Sequence, residues 1–408
     1  MRTPPRCPFP FPQGPGIGAP TAHEQLARTP GLTPVTLPSG LPAQLVARWA
    51  EVRTVLSDDR FSRASFPGHP LFARSSESLA LAASDPPLHT RRRQAVRALF
   101  TARAARRLEP ELRRLAEQAL DRLVTLPQPT DLVEEFTVPF ALRAITGLLG
   151  VPPEDEPWLR PRVDRMMSTT RFTAPQVATA HQEAREYFSE LVERREREIA
   201  AGTPGADMLT ALLSAPEERR LSRAEVVVFG AGLLMAGYET TSNQLAMCAL
   251  VLFGEQGPGL ADRLRAQPGA LPAALEELLR LSSLVATGGA PHVVTEDLVL
   301  GSTPLRAGEV VVPLTDAANL DAERFAQPTA FDPDRADNPH LAFGHGRHYC
   351  LGADLARAEL RIGLSALLER FDGLRVDAPA RGPRWRQGMF IRGPEQLPVR
   401  WSGLRARG

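Results

Sequence analysis

Lysine is absent: all 48 basic residues are arginine. Any basic docking surface is therefore built from guanidinium groups, which favour carboxylate partners in a bidentate fork. Neither sign of charge is in excess, because 48 arginines meet 47 acids and leave a net +1. That balance removes bulk attraction to nucleic acid or to an anionic membrane. Cysteine is scarce, with Cys7, Cys248 and Cys350 far apart. An odd, sparse set argues against a disulfide framework and fits a reducing cytoplasm. Three thiols also fall short of a four-cysteine iron–sulfur cluster within one chain. Long apolar runs are missing too. A spanning helix needs about 20 mostly apolar residues, whereas the most apolar stretch, 226–253, carries Glu239, Thr240, Thr241, Ser242, Asn243 and Gln244 in its middle. It reads as a long buried helix with a polar notch. Residues 1–20 form a Pro/Gly-rich lead without an apolar run of signal-peptide length, so neither secretion nor an anchor is expected.

What is present is mainly helical pattern. Residues 35–60 read as short strands around the turn Pro38-Ser39-Gly40, followed by a helix over 48–56. From about residue 85 to 201 the pattern is helical, punctuated by Pro127, Pro129, Pro152, Pro153 and Pro175. Ser222-Arg223-Ala224-Glu225 is a capping box that opens the long helix, and Pro272 sits near the start of another. Residues 293–314 alternate as strands, and a Pro-rich irregular stretch follows at Pro328, Pro333 and Pro339. After Cys350, Leu360, Leu364, Leu367, Leu368 and Phe371 share one helical face. The whole is mostly α with a small β-rich region. No linker or repeat marks a seam, so one domain over 1–408 is expected.

The strongest local signal is Phe343-Gly344-His345-Gly346-Arg347-His348-Tyr349-Cys350-Leu351-Gly352. Three glycines around one cysteine permit tight turns and close approach of backbone to a flat ligand. A helix starting just after Cys350 turns free N–H groups and the positive dipole end toward the sulfur, which favours thiolate. Phe343 can shield that thiolate from water, and His348 can reach an anionic group. Glu277 and Arg280, at i and i+3, would by themselves be a solvated pair worth a few tenths of a kcal/mol. Ala236-Gly237-Tyr238-Glu239-Thr240-Thr241 combines small residues, which let a helix open locally, with an acid and an alcohol that can relay protons. In Asp85-Pro86-Pro87-Leu88-His89-Thr90-Arg91-Arg92-Arg93, His89 and Arg93 lie on one helix face, and Arg91 and Arg92 read as solvated.

These segments, in this order, resemble the cytochrome P450 family. The Cys350 loop matches every fixed position of its haem-binding pattern, and Arg60-Phe61-Ser62 and Ala318-Asn319 extend the likeness over essentially the whole chain. The resemblance implies the family's mostly α triangular prism around haem b (heme b, iron protoporphyrin IX). It makes Cys350 the axial thiolate, within a cofactor-binding set of Phe343, Gly344, His348 and Gly352. It makes Ala236, Gly237, Glu239 and Thr240 the oxygen-activating face, with Glu239 and Thr240 as the catalytic pair. It makes His89 and Arg93 propionate partners, and it makes Glu277–Arg280 a buried brace with Arg335 or His340 as third partner. Two positions depart. His292 stands where bacterial relatives often carry a propionate-binding Arg, and Leu320 replaces an Arg. A propionate beside His292 would favour imidazolium and raise its pKa.

The implied activity is that of a monooxygenase, inserting one atom of O₂ into a C–H or C=C bond. No dinucleotide fingerprint is present, since Gly230-Ala231-Gly232 lacks the third glycine and a preceding strand. Electrons from NAD(P)H are therefore expected through a separate ferredoxin and reductase, docking near Arg347. The expected protein is a cytoplasmic monomer that takes a medium-sized, largely apolar natural product. Contacts would come from residues 63–84 (Phe66, Leu71, Phe72), 165–180 (Met166, Met167, Thr169, Thr170, Phe172), Leu234, Met235 and Tyr238, 284–290 (with Thr287), and 388–391 (Met389, Phe390). An oxidative coupling or ring-forming enzyme is the second reading. The Glu239-Thr240 pair argues against a peroxide-driven one. A haem-based gas sensor ranks last, because no output module is evident.

Overall fold

The computed structural model describes residues 7–14, 16–64, 81–255, 257–377 and 383–405. It is 53% helical with short strands, the mostly α composition expected from sequence. Among the described residues the helices of nine or more residues are, in chain order, α1 Trp49–Ser57, α2 Leu88–Val96, α3 Ala102–Leu123, α4 Val138–Leu149, α5 Glu156–Met166, α6 Ala174–Ala200, α7 Arg223–Phe253, α8 Pro258–Ala266, α9 Leu271–Leu281 and α10 Ala353–Arg370. None is long and apolar enough to cross a membrane.

Contacts group the chain into two compact units. The first draws its described residues from within 7–64, 82–85 and 276–350, the second from 81, 86–275 and 351–405. Each is assembled from separate stretches, which is why the sequence shows no seam.

The first unit is built on a six-stranded sheet of β1 Cys7–Pro8, β2 Thr33–Thr36, β3 Pro42–Val46, β4 Phe61–Ser62, β5 His292–Val294 and β6 Val310–Pro313, in the order β1-β2-β3-β6-β5-β4. The predicted turn at Pro38-Ser39-Gly40 joins β2 to β3, with Gly40 at φ 83°. Strand β5 runs antiparallel to both neighbours, with His292 opposite Val311 and Val293 opposite Ser62. Apolar residues fill both faces of the sheet, Val35, Leu45 and Val312 on one and Val46, Phe61, Val294 and Val311 on the other. Within the strand-like stretch 293–314, Leu298–Leu300 pairs with Thr303–Leu305 as a separate hairpin.

The core of the second unit is α7, packed against α4, α6 and α10. The capping box is complete: Ser222 accepts from the Glu225 N–H, and the Glu225 carboxylate accepts from the Ser222 N–H. The helix is buried almost all round, so its polar middle has to find partners within the protein. On α10 the expected face of Leu360, Leu364, Leu367 and Leu368 is buried, and Phe371 follows, also buried, in a two-residue strand.

Candidate active site

The loop leading to Cys350 turns on Gly344 (φ 72°) and Gly346 (φ 66°), both in the left-handed region that glycine alone enters freely. At Gly346 a Cβ would also come within 2.4 Å of the Leu56 carbonyl oxygen. The loop closes where the Cys350 N–H donates to the Phe343 carbonyl at 2.8 Å. Cys350 is exposed and in no disulfide, with Phe343 and His348 half-buried. Gly352 is the N-cap of α10 at φ −89°. A Cβ there would meet no atom within 4 Å, so neither backbone conformation nor protein packing asks for glycine. Open space at a glycine two residues beyond an exposed thiol suits a flat ligand held through sulfur, and the donor set fits haem.

Cys248 offers no alternative thiolate. It is fully buried on α7, and burial pushes its thiol up to about 12 despite a hydrogen bond from Gln244. Arg347, near which a partner protein is expected to dock, is engaged within the chain. Its guanidinium donates to the carbonyls of Asp58 and Phe61 and pairs with Asp59. These contacts tie the Cys350 loop to the end of α1.

Glu277 and Arg280 form the buried brace that the resemblance implies, with Arg335 as third partner, rather than the solvated pair that their spacing alone suggests. Both are fully buried and bonded twice, at 2.7 and 2.8 Å. Arg335 Nε, Asn338 Nδ2 and the Asp332 N–H also donate to Glu277, while His340 turns to Glu276 instead. Burial raises the Glu277 pKa, but hydrogen bonds and the charges of Arg280 and Arg335 outweigh it, so the carboxylate lies below its usual range.

His292 Nδ1 lies 2.9 Å from the Ala290 carbonyl, and its Nε2 accepts from Arg63 Nε at 3.1 Å. Burial, then the charge of Arg63, push its pKa well below the ordinary value, against a smaller rise from Ala290. These surroundings favour a neutral ring.

In the second unit His89 is buried on α2, with Arg93 one turn later. Arg91 and Arg92 are not both solvated. Each pairs with Glu225, Arg92 at 3.0 Å, fastening α2 to the capping box of α7.

At the polar notch α7 stays an unbroken helix. Gly237 does not open it: a Cβ there would come within 2.8 Å of Ile145, so the glycine permits close packing on α4. Ala236 is exposed, and one turn on the half-buried Thr240 Oγ donates to the Ala236 carbonyl at 2.5 Å. Glu239 faces elsewhere. It is fully buried and paired with both Arg386 terminal nitrogens, at 2.5 and 3.1 Å, and accepts from Asn243 at 3.0 Å. Arg386 also reaches Asp164, to which the Tyr238 hydroxyl donates at 3.4 Å. Burial lifts Glu239 to about 7, Arg386 opposing and Asp164 adding to the rise. Arg386 and Asp164 were missed from sequence, since no local motif marks them.

This pair yields a prediction. A carboxyl whose pKa is raised on folding binds its proton more tightly in the native state, so its contribution to stability falls as pH rises from about 4.3 toward the folded value. In Arg386→Gln burial goes unopposed, and the fall extends to higher pH than in the wild type. Glu239→Gln removes it. Denaturation midpoints from mildly acid to mildly alkaline pH check this; parallel profiles for wild type and Arg386→Gln would refute it.

Of the expected substrate segments, Phe66, Leu71 and Phe72 lie outside the described residues. Residues 167–171 and 388–390 run together through N–H groups of Thr169, Thr170 and Arg171 on the Gly388 carbonyl and a bridge between Ser168 and Met389. Met166, Met167 and Met389 are buried there. A surface cleft of about 800 Å³ lined by Trp158, Arg162, Glu183, Tyr187 and Arg194 contains none of the expected contacts.

The Cytochrome P450 family model matches residues 158–268 and 260–396. The chain belongs to the cytochrome P450 family. It is 40% identical to nocardicin C N-oxygenase of Nocardia uniformis subsp. tsuyamanensis, over 90% of this chain and 92% of that protein. It is 37% identical to mycinamicin IV hydroxylase/epoxidase of Micromonospora griseorubida, over 96% and 98%. The crystal structure of SgvP, a putative thioether synthase of the griseoviridin tailoring step, superposes with TM-score 0.89 at 38% identity, covering 97% of this chain and 100% of that one. The fold is the P450 fold, and the protein is a P450 monooxygenase, a haem-thiolate oxidoreductase. P450s of this kind act on small molecules with the help of redox partners.

Proposed function

We propose that this P450, folded as one domain around its cofactor, inserts one oxygen atom of O₂ into a C–H or C=C bond of a medium-sized, largely apolar natural product. Electrons come from NAD(P)H through a ferredoxin-type partner and its reductase, and the protein works as a cytoplasmic monomer. The observation that carries this reading is the exposed Cys350 thiol on a loop turned by Gly344 and Gly346. Cys350 holds the haem iron, with Phe343 and Gly352 against the ring, and His89, Arg93 and His348 take the propionates. Bound haem supplies the reductive activation of O₂, which a thiolate ligand favours by donating electron density.

The chain's own part is proton handling. Thr240 spends its O–H on the Ala236 carbonyl, so its oxygen lone pairs remain to accept a proton-bearing partner such as water. Glu239, lifted close to neutral pH, can hold or release a proton there, which is where a general acid works best. Its ion pair with Arg386 has to loosen for it to do so. Thr240→Ala should still consume NAD(P)H while a larger share of the electrons leaves as hydrogen peroxide and less product forms. Parallel assays of cofactor use, peroxide and product check this; an unchanged peroxide share would leave Thr240 a merely structural residue.

The SgvP likeness supports a second reading, bond formation without oxygen insertion. Labelled O₂ separates the two, because only an oxygenase places the label in the product. The substrate itself is sought by screening small molecules for the visible spectral change that follows loss of the iron's water.

A further inference from the structure

Arg63 follows β4 directly and stands beside His292 on β5. The residue is half-buried, and burial lowers its pKa to about 10 against the pull of Asp85. Asp85 does not neutralise it by direct pairing. One Asp85 oxygen accepts from Ser62 Oγ at 2.5 Å and the Ala64 N–H at 3.3 Å, and the other from the Arg63 backbone N–H at 3.2 Å. The guanidinium bonds instead to an uncharged imidazole, through Nε alone. Its two terminal nitrogens make no hydrogen bond among the described residues. A half-buried cation with its fork unspent is a ready partner for an anion. His292 occupies the position where relatives often present an arginine to a haem propionate.

Resting on the haem-thiolate reading above, we propose that Arg63 supplies the propionate-binding charge in place of that arginine, and that neutral His292 is the positioning residue that aims it. The imidazole is fixed at both ends, Nδ1–H donating to the Ala290 carbonyl and Nε2 accepting from Arg63 Nε, which leaves both terminal nitrogens of the planar fork for bidentate binding. The charged groups near His292 are Arg63 and, behind it, Asp85. The neighbouring strand β6 presents only Val310, Val311, Val312 and Pro313.

The test compares haem-loaded wild type, Arg63→Gln and Arg63→Lys by haem transfer to an acceptor apoprotein and by reduction potential against pH. Arg63→Gln should lose haem about tenfold faster, the loss of one charge-assisted contact, and its potential should fall. With the Arg63 charge gone, a propionate left beside His292 should favour its imidazolium against burial, so the Arg63→Gln potential steps down as pH rises where the wild type shows no such step. Contributions from His89, Arg93 and His348 are common to all three proteins and cancel. Arg63→Lys keeps the charge and should retain a potential near wild type without the step. Should Arg63→Gln fail to take up haem, Arg63→Lys decides: uptake with the wild-type potential supports the proposal, and the same failure overturns it. Equal haem loss and equal pH profiles for Arg63→Gln and wild type also overturn it. A wild type without the thiolate-type CO spectrum would instead refute the haem-thiolate reading itself, so the two failures are told apart.

Discussion

Haem-loaded Cys350→Ala, reduced under CO, is expected to lack the strongly red-shifted Soret band of thiolate-ligated haem and to lose all turnover. The expectation rests on how differently the chain treats two of its thiols. Cys350 is exposed on a loop that two left-handed glycines turn and the Phe343 carbonyl closes. Cys248 is enclosed on α7 with its thiol pushed up to about 12, so at neutral pH it is neither ionised nor reachable. Cys350→His is the sharper variant: an imidazole can still hold iron, so haem is retained while the thiolate band disappears. Retention of that band in Cys350→Ala would refute the assignment and leave Cys7, whose side chain lies outside the described residues, as the thiol to replace next.

The parts of this site that lie close together in sequence were legible there. The Cys350 loop, the capping box at Ser222 and the pairing of Glu277 with Arg280 are each set within a few residues, where turn chemistry and helical spacing act. What sequence misjudged was the environment. Spacing alone put Glu277 and Arg280 on one helix face, and only the family resemblance implied that the pair is buried. Sequence put Glu239 beside Thr240, yet adjacent helical residues face about 100° apart, and only the fold reveals Arg386 waiting for the carboxylate from 147 positions away. Gly237 looked like a hinge because a glycine inside a helix weakens it; contact with Ile145 makes it a packing residue. The neutral state of His292 follows from burial and from Arg63, brought next to it by the pairing of β4 with β5. In the sequence Arg63 was only the residue after a recognised Arg-Phe-Ser triplet.

The second large effect follows from that burial. Removing one partner of a buried ion pair leaves the other charge uncompensated, at a cost of about 3–5 kcal/mol, a large fraction of the roughly 5–15 kcal/mol that holds a typical domain folded. Glu277→Ala strands two cations, Arg280 at zero exposure and Arg335 at 9%. The damage should also travel along a continuous line of hydrogen bonds. Arg280 donates to the Asn319 carbonyl at 2.7 Å, Asn319 Oδ1 accepts from the Leu341 N–H at 2.7 Å, and the Leu341 carbonyl accepts from the Gly344 N–H at 2.9 Å. Gly344 opens the turn that ends on Cys350. Glu277→Ala should therefore unfold at much lower denaturant and yield little protein with the thiolate-type CO spectrum. Arg280→Lys should do nearly as badly, because an ammonium cannot bond both oxygens of Glu277 and also satisfy the carbonyls of Asn319, Pro328 and Ala330 in the plane that a guanidinium offers. Glu111→Ala is the control, since it breaks the same i, i+3 pattern with Arg114 on the surface of α3, where such pairs contribute little. Equal denaturation midpoints for Glu277→Ala and Glu111→Ala would show that the buried pair contributes no more than a solvated one.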